Sequence, residues 1–182
     1  MPTQTDASAF TRQLRQLRQT RRFTDEPVPE EVVADILEVA RWSGSSKNTQ
    51  PWHFIVVTDA STRQLMAASG EYAGFLAGAP LVIAIAMEGG RPRSGTYDEG
   101  RVSERIMLAA DAHGLGAGTG WFAPGAEGAD RVNAALGVPE GMSVIQALGI
   151  GYPAEADQRA RSVHGGRKPL EEIVSRERFG QR

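Results

Sequence analysis

The sequence predicts an α+β domain with a small sheet. The chain has 182 residues, a length that suits one domain over residues 1–182 with a sizeable core. Three or four segments have the length and composition of strands, and they lie among five or six segments with helical periodicity. We see no internal repeat and no low-complexity linker, and we expect residues 1–6 to be a disordered end.

The first half of the chain predicts two helices, a strand and a short third helix. Pro29 suits the first turn of the second helix, and the two glutamates that follow it suit the positive end of the helix dipole. The strand is favoured by its β-branched and aromatic residues. The predicted ranges are a helix over 8–20, a helix from 29 to about 42, a strand over 53–58, a helix over 61–69 and an unassigned segment over 72–79.

The second half contains the clearest buried strand, a continuous apolar run over residues 81–87. The longest helix follows, and Gly114 and Gly137 are each predicted to end a helix. The remaining predicted ranges are a loop over 89–96, a helix over 97–113, a glycine-rich segment over 115–122, a helix over 126–136, a strand over 143–150 and a helix over 168–174.

The composition excludes several classes of protein. The net charge is −2, which does not favour a nucleic-acid partner or an anionic membrane surface. The chain has no cysteine, so disulfides, thiolate nucleophiles and iron–sulfur clusters are excluded. No apolar run approaches the roughly 20 residues that a membrane span needs, and no signal-peptide pattern is present. We therefore expect a cytoplasmic protein that binds neither nucleic acid nor a membrane.

Several familiar active-site patterns are missing from the sequence. The three histidines are far apart and none has metal-ligand spacing, so we expect no metal site. The GxSxG elbow of serine hydrolases and the phosphate loop of nucleotide hydrolases are absent. Residues 118–123 match GxGxxA loosely, but they follow a helix and run into Pro124, whereas a dinucleotide site follows a strand and opens a helix.

What remains is a set of polar loops and scattered arginines. The most prominent loop, residues 43–54, is rich in hydroxyl and amide groups and lies between two apolar segments. Arginines recur every three residues from 12 to 21, a pattern that suits a solvated helix face. The alternative is that Arg18, Arg21 and Arg22 leave the helix and bind an anion. No nucleophile is paired with a base. A site of this kind is typical of a protein whose cofactor carries the chemistry.

These segments closely resemble the nitroreductase family of flavin enzymes. The match includes residues 21–29, residues 45–54 with the sequence Ser-Ser-Lys-Asn-Thr-Gln-Pro-Trp-His-Phe, residues 114–121, residues 149–153 and residues 167–170, in that order. The resemblance covers nearly the whole chain. It implies the nitroreductase-like α+β fold, with a small, mostly antiparallel central sheet surrounded by helices, and an intertwined homodimer with two FMN molecules at the subunit interface.

The resemblance also implies which residues bind FMN. The arginines of residues 18–22 hold the phosphate and the pyrimidine edge, and a second phosphate contact comes from residue 167. Residues 118–121 pass near the isoalloxazine, and residues 45–48 reach it from the partner subunit. An ungapped match leaves Gln19 at the position of a family hydroxyl, and a match shifted by one residue is also open. The implied cofactor-binding residues are Arg18, Gln19, Arg21, Arg22, Ser45, Ser46, Asn48, Gly118, Thr119, Gly120, Trp121 and Arg167.

The implied reaction has two steps. NAD(P)H gives a hydride to FMN, and a nitroaromatic, quinone or similar small acceptor then takes the electrons, so no protein residue is expected to be a catalytic acid or base. Two alternatives stay open. One is a flavin enzyme of the same fold with a specialised reaction, such as flavin destruction, dehalogenation or azoline oxidation. The other is a flavin-binding protein with little turnover.

Overall fold

The computed structural model describes residues 4–89, 92–155 and 166–181, without the side chains of residues 4–6, 92 and 93. Six α-helices, four strands and two short 3₁₀ turns are found in this part of the chain. In order they are α1 (Gln4–Gln16), α2 (Glu30–Arg41), a 3₁₀ turn (Ser46–Asn48), β1 (Trp52–Val57), α3 (Ala60–Ala68), a 3₁₀ turn (Gly74–Gly78), β2 (Leu81–Glu88), α4 (Pro92–Ala112), β3 (Gly116–Trp121), α5 (Ala129–Leu136), β4 (Met142–Gly151) and α6 (Leu170–Ile173).

The strands form one antiparallel sheet in the order β1-β2-β4-β3. Trp52 at the start of β1 lies opposite Met87 of β2, and Gly116 at the start of β3 lies opposite Gly151 of β4. The ladder between β2 and β4 shifts register between Ala84 and Ala86. Helices lie between the strands along the chain, and the strands all pair antiparallel. This confirms the predicted α+β class with a small antiparallel sheet.

Helices cover both faces of the sheet, and this explains why the predicted buried strand is apolar throughout. On one face, Leu81, Ile83 and Ile85 pack into a cluster with residues of α2 and α4. On the other face, the alternate residues of β2 pack with α3, the Gly74–Gly78 turn and α5. A strand that is buried on both sides has no position left for a polar side chain.

Several predicted boundaries are wrong. Helix α1 begins at Gln4, earlier than the predicted residue 8, while residues 1–3 lie outside the described chain and the expected disorder of residues 1–6 stays a prediction. The same helix ends at Gln16 and not at residue 20, because the backbone of residues 19 and 20 is bonded to β3. Helix α4 begins at Pro92 inside the predicted loop 89–96, since proline suits the first turn of a helix.

The segment over residues 115–122, described from the sequence only as glycine-rich, is mostly the buried strand β3. The two glycines predicted to end helices are confirmed, since Gly114 and Gly137 both have left-handed backbone angles after α4 and α5. No helix in the described residues is long and apolar enough to cross a membrane.

Candidate functional site

Residues 17–24 run along the edge strand β3 and past the end of β4, and backbone hydrogen bonds fix them there. The amide of Thr20 donates to the carbonyl oxygen of Ala117 in β3 at 2.9 Å, and the amide of Thr24 donates to that of Tyr152 at 2.9 Å. The carbonyl of Arg22 in turn accepts from the amide of Ala154 at 3.0 Å. The arginines that the sequence singled out are therefore carried on a segment tied to β3 and to the end of β4.

The glycines of β3 are required by this packing. A side chain at Gly116 would collide with the hydroxyl of Thr20, and one at Gly118 would collide with the carbonyl oxygen of Thr20 and approach the ring of Phe75. Thr20 is itself 7 % exposed. The backbone of β3 can approach these neighbours closely because glycine has no side chain, and on this face the neighbours, Thr20 and Phe75, belong to the protein itself.

Gln19 joins the arginine segment to the middle of β3. Its side-chain oxygen accepts from the Thr119 amide at 3.3 Å and from a guanidinium nitrogen of Arg21 at 3.4 Å. The Arg21 guanidinium also lies 5.9 Å from the centre of the Phe75 ring. Three predicted site residues are thus brought together, and a buried strand is linked to an exposed cation.

Arg18 and Arg22 are exposed on the same segment. A guanidinium nitrogen of Arg18 donates to the carbonyl oxygens of Arg15 and Leu17, at 2.8 and 2.7 Å. Arg18 therefore caps the carboxyl end of α1, where carbonyl groups lack partners inside the helix.

The loop that carries Ser45, Ser46 and Asn48 has an unusual backbone. Lys47, Asn48 and Gln50 all have φ near +50°, a conformation that costs free energy for residues other than glycine. The Ser45 hydroxyl accepts from the Gln50 amide at 2.8 Å and helps to hold this shape. Strained backbone that is fixed by its surroundings is frequent at binding sites.

This loop is anchored on helix α4. The amide of Ser46 donates to a carboxylate oxygen of Asp98 at 2.9 Å, and Asp98 is 2 % exposed. The predicted site residues therefore form two groups with different supports. One group lies beside β3, and the other is held by α4.

Glu99 follows Asp98, is buried, and was not among the residues predicted from the sequence. Burial raises the pKa of Glu99 to about 7, and the neighbouring Gln146 amide opposes this rise. One oxygen of Glu99 and the side-chain nitrogen of Gln146 are buried without a hydrogen-bond partner. Gln146 lies directly opposite Trp121 of β3 in the ladder, so the pair underlies the end of the predicted flavin segment. The sequence signal for Glu99 is an acidic residue among the apolar positions of a long helix.

The last predicted residue, Arg167, lies at the start of an exposed arm, residues 166–181. The arm contains α6 and four large apolar side chains that its own chain leaves exposed. These are Leu170, Ile173, Val174 and Phe179. Apolar side chains in such a row are typical of a surface that another molecule covers.

Comparisons with known proteins agree with one another. Residues 14–71 match the profile of the Nitroreductase family. A protein of Archaeoglobus fulgidus, named as a candidate NADH dehydrogenase/NAD(P)H nitroreductase, is 31 % identical over 157 residues, which cover 78 % of this chain and 87 % of that protein. The chloronitrobenzene nitroreductase of Comamonas testosteroni is 47 % identical over 76 residues, which cover 41 % of this chain and 32 % of that enzyme.

Solved structures show the same fold. The NADPH:FMN oxidoreductase of Vibrio harveyi, complexed with NAD⁺, superposes with a TM-score of 0.79 at 20 % identity, covering 94 % of this chain and 78 % of that chain. An FMN-dependent nitroreductase of Clostridium difficile superposes with a TM-score of 0.71 at 24 % identity, covering 83 % and 97 %.

Proposed function

Because this chain belongs to the nitroreductase family, we propose that it is an FMN-dependent oxidoreductase that uses NAD(P)H to reduce a small acceptor. The acceptor that we propose is a nitroaromatic, a quinone or a similar compound, and the names of the relatives support the nitroaromatic. We also propose that it works in the cytoplasm, where NAD(P)H is available.

The observation that carries the proposal is the attachment of residues 17–24 to β3. Backbone bonds at Thr20 and Arg22 fix the segment, and the Gln19 side chain connects the guanidinium of Arg21 with the Thr119 amide. Exposed guanidinium groups on a rigid support suit a phosphate and a polar ring edge. The donors present therefore fit FMN, which has both.

We assign roles to the other predicted residues on the same basis. Arg18, Arg21, Arg22 and Arg167 supply positive charge for the phosphate and the pyrimidine edge. The backbone of Gly118, Thr119 and Gly120, together with Trp121, borders the ring system. Ser45, Ser46 and Asn48 offer hydroxyl and amide groups to the same cofactor from a second subunit.

A bound FMN would supply the redox chemistry, hydride uptake from NAD(P)H and electron transfer to the acceptor. The chain's own contribution is to hold and orient its ligands. The strained loop presents Ser45 and Ser46 from a fixed position, because Asp98 holds the Ser46 amide. Trp121 is half exposed at the end of β3, and its indole can cover one side of a bound ring system. We assign no residue a proton-transfer step.

We further propose a homodimer in which the arm of residues 166–181 packs on the partner. Leu170 is 71 % exposed, and Phe179 is fully exposed. Strand β1 is an edge of the sheet, and an unpaired edge in a soluble protein is normally covered. A partner that covers the arm would bury these apolar groups and bring Arg167 to the second subunit.

The first experiment is an absorbance spectrum of the purified protein, followed by anaerobic addition of NADH or NADPH. We expect flavin bands that either donor bleaches and that return when 4-nitrobenzoate or a quinone is added. Flavin that binds but is not reduced would favour the specialised or low-turnover alternatives. Absence of flavin after incubation with FMN would contradict the proposal.

The dimer is tested by sedimentation velocity of the wild type and of a variant with Leu170→Asp and Ile173→Asp. We expect a dimer for the wild type and a monomer for the variant, because burial of two carboxylates in an apolar interface is costly. Glu171→Gln, on the same helix, is the control. A wild-type monomer at micromolar concentration would contradict the proposed dimer.

A further inference from the structure

One buried carboxyl group has no role in the proposed function. Glu99 is 3 % exposed, although glutamate is a residue type that proteins seldom bury without a partner. It lies three and seven residues before Val102 and Ile106, so all three are on the side of α4 that packs against the sheet. The burial of Glu99 therefore comes from its own chain and does not depend on what covers the opposite face of α4.

The polar group beside Glu99 is the side chain of Gln146, which is 2 % exposed on β4. Gln146 alternates with Leu148 and Ile150, which belong to the same core cluster as the buried residues of α4. Oε1 of Glu99 and Nε2 of Gln146 have no hydrogen-bond partner in the described part of the chain. Unsatisfied polar atoms in a core cost free energy, and a redox or catalytic role is one reason that proteins retain them.

This polar pair lies beside the place that we propose for the flavin ring. Gln146 is directly opposite Trp121 in the ladder between β3 and β4. Residues paired in this way project from the same face of a sheet, with their Cβ atoms about 5 Å apart. Trp121 is half exposed and borders the ring in the proposed function. The Glu99 carboxyl is then roughly 10 Å from the ring, across the Gln146 side chain.

Charged groups near Glu99 are few and engaged elsewhere in the described residues. Strands β3 and β4 contain no charged residue, and the charged residues of α2 and β2 are exposed. On α4 itself, the adjacent Asp98 accepts from the Ser46 amide and lies 4.0 Å from the Arg101 guanidinium. Burial raises the pKa of Glu99 to about 7, the Gln146 amide opposes this rise, and no charged group of the described chain is among the causes. A new negative charge nearby therefore has a clear effect on the proton of Glu99.

We propose that Glu99 takes up a proton from solvent when the bound flavin is reduced, and releases it when the flavin is reoxidised. The inference rests on the proposed function, in which the flavin receives a hydride from NAD(P)H. A hydride carries two electrons and one proton, so the neutral ring becomes an anion, and one proton from water converts the Glu99 carboxylate to the acid. When the acceptor removes the hydride, the ring is neutral again and the proton leaves Glu99. An acceptor such as a quinone needs one proton besides the hydride to form a neutral product.

The size of the effect follows from the distance. Two unit charges roughly 10 Å apart in a protein change a proton affinity by about tenfold, which is about one pKa unit. Because the pKa of Glu99 is about 7 before this change, the carboxyl is mostly ionised beside the oxidised ring and mostly protonated beside the reduced ring near pH ~7.5. The additional uptake is then about half a proton per flavin at that pH, and close to none below about pH 5.5.

The test is the midpoint potential of the bound flavin, measured anaerobically against a reference dye between about pH 5.5 and about pH 9. The slope of the potential against pH counts the protons taken up with the two electrons, and it requires no turnover. We expect this count to be higher in the wild type than in Glu99→Gln by about half a proton near pH ~7.5, and equal at about pH 5.5. Gln146→Leu should move the excess to higher pH, because the amide that opposes the pKa rise is gone. Glu140→Gln, which changes an exposed glutamate before β4, should behave as the wild type.

Two results would overturn the inference. One is the same proton count in the wild type and Glu99→Gln at every pH. The other is an excess that stays at the same pH in Gln146→Leu. The flavin content of each protein is measured first, from its absorbance. A wild type that binds no FMN would contradict the proposed function itself, whereas flavin that is reduced without the excess uptake would contradict only the role of Glu99.

Discussion

Replacing Glu99 by glutamine should make the protein more stable at alkaline pH and should have a much smaller effect at acidic pH. Glu99 is 3 % exposed on α4, where it packs beside Gln146. Burial is the main reason that its pKa rises from 4.5 to about 7, while the amide of Gln146 acts in the opposite direction. The folded protein therefore holds a proton that the unfolded chain releases more easily.

The sign and the size follow from this difference. Below pH 4.5 Glu99 is protonated in both the folded and the unfolded state, and the free energy of unfolding is then at its highest with respect to this group. As the pH rises from 4.5 through about 7, the unfolded chain loses its proton first and the free energy of unfolding falls. Since one pKa unit corresponds to about 1.4 kcal/mol, the complete loss is roughly 3 kcal/mol. Glutamine keeps the shape and the hydrogen-bonding atoms but never ionises, so the variant should not show this loss.

The assay is urea unfolding of the wild type and Glu99→Gln at several values of pH between 5 and 8.5. Protein concentration is held constant, because a dimer's stability depends on it. We expect the stability difference in favour of the variant to grow by about 2 kcal/mol over this range, most of the complete loss. Glu104→Gln, exposed on the same helix, should give no such trend. A difference between Glu99→Gln and wild type that does not change with pH would refute the reasoning.

Three further predictions concern other parts of the structure. Gly118→Val should destabilise the protein by about 2 kcal/mol and lower its FMN content, because the new side chain meets the carbonyl of Thr20; urea unfolding and absorbance measure both. Asp98→Ala should weaken FMN binding in a fluorescence titration by about tenfold, since the Ser46 amide loses its acceptor. Asp59→Ala should lower the melting temperature at pH 7 but not near pH 2. Hydrogen bonds from Ser61 and Thr62 hold the pKa of Asp59 at about 2, and Asp59 caps α3 as a carboxylate. This carboxylate, and the stability it adds, is lost as the pH falls toward that value.

The strongest periodic signals predicted the fold well. The continuous apolar run of β2 and the long stripe of α4 were recognised because burial on two faces, or along one helical face, leaves a direct trace in the sequence. Strand β3 left no such trace. Its sequence, Gly-Ala-Gly-Thr-Gly-Trp, resembles a loop, and it is a strand because β4 pairs with it and residue 20 packs against its glycines.

The candidate site was likewise predicted only in part from the sequence. The polar loop of residues 45–48 and the arginines after α1 were found from their residue types, and the roles given to them remain predictions. The contact between Gln19 and Thr119 joins residues 100 positions apart and could not be foreseen from spacing. Asp98, which holds the Ser46 amide, was predicted only as part of the helix over 97–113.

The sequence by itself determined the approximate positions of most helices, the buried strand β2 and the family that the chain resembles. These properties depend on local periodicity and on short motifs, which a linear chain carries directly. Only the tertiary structure decided that a glycine run becomes a strand, that Glu99 is buried, and that Arg101 lies between Tyr97 and Gly44. Such features arise when distant segments compete for the same space and the same hydrogen bonds, and the outcome depends on all of them at once.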